Sequence, residues 1–289
     1  MYQIENQLCK VTVNKKGSEL SSFYDKTQER EYIWKGGPVW PKHGPLLFPT
    51  IGGFVDNTYL VDQKAYQMPP HGFARDHEFH VLQQSQEEIT MELSSSKNTL
   101  ECYPYPFRLL VSHRLEGKKL LIKWTVENIG EETMYFSIGA HPGFQFAPGT
   151  SLTDYRLTFD HKIPIDTYRV KGRLITKEKE SLLPPTDTLS LTPDLLRQDA
   201  LILEEGLSSM VLSCDAADYH LKVSFPHFPV VALWSAPSHI GHAEYLCVEP
   251  WCGINDFVGQ KPLELRDKYL IQHLYAHDFF SRTFTIEIL

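Results

Sequence analysis

Apolar and polar positions alternate with a period of two along much of the chain. Ile122, Trp124 and Val126 alternate with Lys123, Thr125 and Glu127, which predicts a strand with one buried and one wet face, the signature of an antiparallel sheet. The C-terminal run repeats the pattern, with Phe284, Ile286 and Ile288 on one face and Thr283, Thr285 and Glu287 on the other. Shorter runs at Ile89–Leu93, Leu109–Leu115, Tyr155–Phe159, Tyr219–Phe225 and Val230–Trp234 read the same way. Turn chemistry separates them, as in Glu116-Gly117-Lys118 and Asn128-Ile129-Gly130, so Leu115 and Leu120 are predicted to flank a hairpin. Helix signals are scarce. The best is Thr192-Pro193-Asp194-Leu195-Leu196, with Thr as N-cap and Pro at the first helical position, enough for one or two turns. Pro184-Pro185 reads as a loop, and no repeat or break in composition divides residues 1–289. The prediction is one all-β unit, a large antiparallel sandwich or barrel with few short helices.

Three tracts interrupt this rhythm and carry chemistry. They are His71-Gly72-Phe73-Ala74-Arg75, Ala140-His141-Pro142-Gly143-Phe144 and Val248-Glu249-Pro250-Trp251. Each sets a titratable group beside Gly or Pro, where a strand is expected to stop and a side chain to project. Pro69-Pro70 hold the approach to His71 extended, and Gly72 lets the backbone pass close to a neighbour. His141 follows the strand-like run Met134–Ile138, with Pro142 keeping it out of the helical region and Gly143 freeing the next turn. Glu249 closes the apolar run Tyr245–Val248, where burial of a carboxylate raises its pKa towards useful basicity. Two imidazoles and a carboxylate form an acid–base set that needs no metal or cofactor. A fourth tract, Gly44–Gly53, is apolar but bracketed by Pro and Gly, and is expected to be a buried loop or one wall of a pocket.

Charge and composition narrow the partners. The formal net charge of -8 argues against nucleic acid, which requires a basic field, and an anionic substrate would need local Arg or Lys to overcome it. The five cysteines are scattered without a CxxC, so neither a disulfide framework nor a zinc knuckle is expected. The 13 histidines include His71, His77 and His80, the pair His239 and His242, and the pair His273 and His277, but none shows a metal-ligand spacing; no metal or cofactor is expected. There is no GxSxG, P-loop or GxGxxG, and no basic, apolar leader or membrane-length apolar run, so a reducing cytoplasm is the expected compartment and no membrane partner is expected.

In this order and spacing the three tracts resemble the aldose 1-epimerase (mutarotase) family, in the branch that holds the LacX-like proteins and the hexose-6-phosphate mutarotase relatives. The similarity also takes in Glu19–Phe23, Glu31–Trp34 and Pro45–Pro49, nearly the whole chain. The resemblance implies a galactose-mutarotase-type β-sandwich with a sugar in an open cleft. It implies His141 as general acid, Glu249 as general base, and His71 as a contact near the sugar ring oxygen. Arg75 and Asp199 are implied as substrate-binding. Many relatives carry Arg after the Gly of the FPxxG segment; here that position is Gly53.

The implied reaction is anomer interconversion, with Glu249 taking the proton of the C1 hydroxyl while His141 protonates the ring oxygen. Reference pKa values of ~4.3 and ~6.5 allow an ionised Glu and a protonated His in mildly acidic to neutral solution. A non-catalytic sugar-binding protein, a hexose-6-phosphate mutarotase, and a glycoside hydrolase pairing Glu249 with Asp256 or Glu244 are the other readings. All require His71, His141 or Glu249 to converge on one sugar.

Overall fold

The computed structural model describes residues 1–289 and is built almost entirely of antiparallel strands. Lys119–Asn128 buries Leu120, Ile122, Trp124 and Val126 and leaves their neighbours wetter, as the alternation requires. It pairs on one side with Phe107–Glu116 and on the other with the C-terminal strand Phe279–Ile288. Glu116 opposite Lys119 closes the predicted hairpin, with Gly117 in the left-handed region at φ 61°.

One sheet carries most of the molecule. Its strands follow the order Leu46–Leu47, Ile138–Ala140, Tyr245–Cys252, Val230–Trp234, Leu201–Leu203, Arg156–Lys171, Ser209–Cys214, Tyr219–Ser224, Phe279–Ile288, Lys119–Asn128, Phe107–Glu116, Glu88–Ser94 and His80–Gln84. The two halves turn their inner faces towards each other. A small void of about 20 Å³ is lined from one half by Val111, Ile122 and Phe284 and from the other by Leu46 and Ala140. Leu246, Val248 and Leu233 enter the same large core as Trp124, Val126 and Ile286, so the architecture is a sandwich. A separate small sheet, Tyr2–Glu5 through Arg30–Glu31, covers one flank.

Two local expectations are corrected, the Pro184-Pro185 loop and the Thr192 side-chain cap, and one helix was not foreseen. Pro184-Pro185 lies inside the long strand Leu174–Ser190, which pairs along its length with Arg156–Lys171 and otherwise only through an isolated bridge from Ile175 to Phe257. The prolines sit where the register shifts between Leu183 and Thr186, so their missing N–H groups fall at an irregularity of an edge strand. The helix Pro193–Leu196 is one turn long, and Thr192 precedes it without a side-chain cap bond. A helix over Lys97–Cys102 escaped the sequence reading; Ser96 caps it reciprocally with Thr99, a capping box without the usual Glu or Gln.

Candidate active site

The strand Tyr245–Cys252 runs straight through Glu249, contrary to the expected break there. Alternation then decides direction. Leu246, Val248 and Cys252 join the main core, while Tyr245, Cys247, Glu249 and Trp251 share the opposite face. On one side Val230–Trp234 is paired throughout, with small Ala232 opposite Glu249. On the other side the partner changes. Gly139 pairs with Trp251 and Gly143 with Cys247 in one unbroken register, which sets His141 directly opposite Glu249, while the residues between make no ladder pair with this strand. Pro250 therefore falls beside an unpaired stretch of the neighbouring strand, and the shared register makes His141 and Glu249 cross-strand neighbours. Gly143 does not free a turn as expected. It begins the strand Gly143–Gln145, and its missing side chain seats Trp40, whose ring carbon would lie 2.8 Å from an added Cβ.

His141 Nε2 lies 3.2 Å from Glu249 Oε2. The contact is not an aligned hydrogen bond, because Glu249 Oε2 has no hydrogen-bond partner. Burial pushes the Glu249 carboxyl well above the usual carboxylate range, and the charge of Asp199 adds to it. The Trp251 indole N–H pulls weakly the other way, short of a formed hydrogen bond. Burial pushes the His141 imidazole well below its ordinary value, and the charges of His71, Arg75 and Lys42 act in the same direction. The reference values used above are therefore inverted. Burial favours a protonated carboxyl beside a neutral imidazole, since both charged forms lose hydration.

His71 sits at φ 65° on a tight loop. Gly72 follows at φ 70°, and an added Cβ there would meet the Phe48 carbonyl oxygen at 2.2 Å, which is the close backbone approach the sequence implied. The Gly52 N–H donates to His71 Nδ1 at 3.2 Å, and the His71 N–H donates to the Gly52 carbonyl at 2.9 Å. With Nδ1 accepting, the proton resides on Nε2, so His71 is a donor in its neutral form; burial pushes its pKa down to about 3. The His71 and His141 rings meet edge to face at 5.9 Å. Arg75 turns back on its own loop, donating from Nη2 to the Pro70 carbonyl at 2.7 Å, while its buried Nε has no hydrogen-bond partner.

These groups line a cleft of about 320 Å³, within the size range of small-molecule sites, ~300–1,000 Å³. His71, Arg75, His141, Asp199 and Glu249 all face it. Asp199 is held at φ 82° after the short helix, with Oδ1 accepting from the Ala200 N–H at 2.8 Å. The Gly44–Gly53 tract contributes both a short strand, Leu46–Leu47, and the Gly52-Gly53 wall of the cleft.

Several lining residues were invisible in the sequence. Trp40 stacks on His141 with ring centroids 5.1 Å apart, and Trp234 meets the same imidazole edge-on at 5.5 Å. Asn255 and Arg173 complete the opposite wall. Only the aromatic content hinted at Trp40 and Trp234, and nothing in the local sequence marked Arg173. Asp256 and Glu244 do not line the cleft. Asp256 is buried in an ion pair with Lys268 at 2.6 Å, and Glu244 is exposed beside a different cavity. His141, Cys247 and Glu249 each bring one ligand-type atom within 4.8 Å of the others. A cation there would have to displace protons from Cys247 and Glu249, both of which burial holds in the protonated form.

Residues 1–266 match the family model for aldose 1-epimerase. The plasmid-encoded protein LacX of Lactococcus lactis subsp. lactis is 28% identical over 301 residues, covering 99% of both chains. A galactose mutarotase related enzyme from Lactobacillus acidophilus superposes with a TM-score of 0.92 at 30% identity, covering 100% of this chain and 97% of its own. A galactose mutarotase-like protein from Lactobacillus casei gives 0.94 at 28% identity over 100% of both chains. With the family model matched over most of its length and the sandwich shared with these structures, the chain belongs to the aldose 1-epimerase family.

Proposed function

We propose that the protein interconverts the α and β anomers of an aldose by acid–base ring opening, with His141 and Glu249 as the proton-transfer pair. The observation that carries this reading is the 3.2 Å approach of His141 Nε2 to a Glu249 Oε2 that has no hydrogen-bond partner, at the floor of an open cleft. Ring opening removes a proton from the hydroxyl on C1 and adds one to the ring oxygen. Both oxygens are bonded to the same carbon, so donor and acceptor must be neighbours, as these two side chains are.

Glu249 accepts the C1 hydroxyl proton and His141 donates to the ring oxygen; the ring opens to the aldehyde, C1 turns about C1–C2, and closure on the other face reverses both transfers. The pair needs one proton between its two members. Burial by itself favours that proton on Glu249, for the reasons given above. A C1 hydroxyl donating to the carboxylate favours its ionised form and moves the proton to His141. His71, a neutral Nε2–H donor, positions the sugar, and Arg75 and Asp199 bind hydroxyls. Trp40, Trp234 and Trp251 offer flat apolar surfaces that suit the C–H faces of a pyranose.

The test is anomer exchange measured by NMR or polarimetry across aldoses and their phosphates. Wild-type protein is expected to accelerate exchange of at least one. Acceleration of none, with sugar bound, would leave a binding protein on this fold; product release from a disaccharide would indicate a hydrolase instead.

A further inference from the structure

A working imidazole is ordinarily fixed by a hydrogen bond on the nitrogen that faces away from its task. His141 lacks that bond. Its Nε2 lies 3.2 Å from Glu249, and its buried Nδ1 has no hydrogen-bond partner. Aromatic rings surround it instead. Trp40 is stacked on the imidazole at 30° with centroids 5.1 Å apart, whereas Trp234 and His71 meet it edge to face at 78° and 79°.

The two walls of the cleft are held differently. On the far wall backbone does the holding. Gly172-Arg173, the tip of the hairpin between Arg156–Lys171 and Leu174–Ser190, docks on Gly53. The Gly53 N–H donates to the Arg173 carbonyl at 3.1 Å, the Gly53 carbonyl accepts from the Asp256 N–H at 3.0 Å, and a Cβ on Gly53 would lie 2.7 Å from the Arg173 oxygen. On the wall that carries the acid, rings do it. Tyr245, on the same strand face as Glu249, stacks on Trp40 at 5.2 Å and 21°, and Trp34 stacks on Tyr245 at 4.8 Å and 27°. Trp40 belongs to an irregular loop, residues 35–44, that is stapled on both sides of it. The Trp40 carbonyl accepts from the Trp34 indole N–H at 2.9 Å and from the Gly37 N–H at 3.0 Å. The His43 and Gly44 N–H groups donate to Glu19 Oε1 at 2.9 and 3.2 Å, and the Gly143 N–H donates to the His43 carbonyl at 2.8 Å. A loop a hundred residues away in sequence thus delivers one indole face to the imidazole.

That face has an electrostatic consequence. The acid step needs an imidazolium at a buried position, where the charges of Arg75 and Lys42 oppose it and His71 adds to the opposition. Cys247, within 4.8 Å, is a neutral thiol, so besides Glu249 the group that favours the cation is the indole. A cation within about 6 Å of an indole centroid is attracted by the ring, and His141 lies inside that range.

We propose that Trp40 is a positioning residue for the acid: its indole face holds the His141 imidazole opposite Glu249 and stabilises the imidazolium that donates to the sugar ring oxygen. This rests on the reading of His141 and Glu249 as the proton-transfer pair. The test measures kcat and KM for anomer exchange in wild type, Trp40→Leu and Trp40→Phe, together with the NMR resonances of the His141 ring protons, identified by their loss in His141→Gln. Trp40→Leu is expected to lower kcat about 2- to 30-fold, the effect of losing a cation–π contact, with KM changed less than kcat. Trp40→Phe keeps a ring face and is expected to recover most of that loss. The His141 ring protons are expected upfield in wild type, shielded by the stacked indole, and to move downfield in Trp40→Leu but stay largely upfield in Trp40→Phe. A loss confined to KM overturns the proposal and leaves Trp40 as a surface for the sugar. Equal losses in the Leu and Phe variants also overturn it. So does the absence of an upfield shift in wild type, a result that does not depend on any variant folding. If wild type accelerates no sugar, the epimerase reading fails, and the His141 resonances alone decide whether Trp40 holds the imidazole.

Discussion

Glu249 and Asp256 are both buried carboxylates, 1% and 2% exposed, on the same stretch of chain, and they are treated in opposite ways. Asp256 is satisfied on both oxygens. Oδ1 accepts from Lys268 Nζ at 2.6 Å and Oδ2 from the Val55 N–H at 3.1 Å. Glu249 has an imidazole within reach but no aligned donor on Oε2. A buried carboxylate with a complete set of partners holds structure; here Asp256 pins the wall that carries Gly53 and the Arg173 hairpin. One left short of partners stores unfavourable desolvation that a bound hydroxyl can relieve. The difference separates scaffold from chemistry more clearly than burial does.

The comparison can be broken most sharply at Glu249. Glu249→Gln is expected to lower the rate of anomer exchange about 10²–10⁴-fold, with sugar binding largely kept; full retention of activity in an NMR exchange assay would remove the acid–base role. At Asp256 the expected loss is of stability. Lys268→Met or Asp256→Asn alone should destabilise by about 3–5 kcal/mol in urea melts, whereas Asp256→Leu with Lys268→Met together should cost much less, because no buried charge is left unpaired.

The third effect concerns stability against pH and has opposite signs for Glu249 and His71. Glu249 has a folded pKa above its unfolded value. Its penalty is absent below about pH 4.5 and grows as pH rises towards the raised value, because the unfolded state releases the proton first. Glu249→Gln should therefore raise Tm relative to wild type at pH 8 and leave it little changed at pH 4. His71 works in the other direction. Its depressed value of about 3 means that stability is lost as pH falls below the ordinary imidazole range.

Activity should follow the same shifts. The acid limb of the kcat/KM profile should be set by protonation of His141, which burial depresses, and the alkaline limb by ionisation of Glu249, which burial raises, so Glu249→Gln should remove the alkaline limb. The smallest expected effect is at Gly53→Ala, about 1–3 kcal/mol of overpacking as the Arg173 tip is pushed away, read as a lowered Tm.

Strand positions with one wet face were legible from alternation alone, because a half-buried strand repeats every two residues whatever it packs against. Lys119–Asn128 and Phe279–Ile288 needed no partner to be recognised. The His71, His141 and Glu249 tracts were also legible, since Gly and Pro restrict backbone shape locally. Two consequences of those tracts were misread. Glu249-Pro250 looked like a strand end because Pro cannot serve a continuous ladder, yet the neighbouring strand makes no ladder pair at His141-Pro142, a fact located a hundred residues away. Gly53 looked like a missing arginine, and its reason lies in the docking of a hairpin tip equally distant in sequence.

The sequence by itself thus determined the strands, their buried faces and the residue types at the chemical centre, all properties of local periodicity and backbone restriction. Only the tertiary structure decided the protonation preferences of His141 and Glu249, because desolvation depends on everything packed around a group. It also placed Arg75 and Arg173 on one cleft in an acidic chain, because charge density is a property of space and not of sequence spacing.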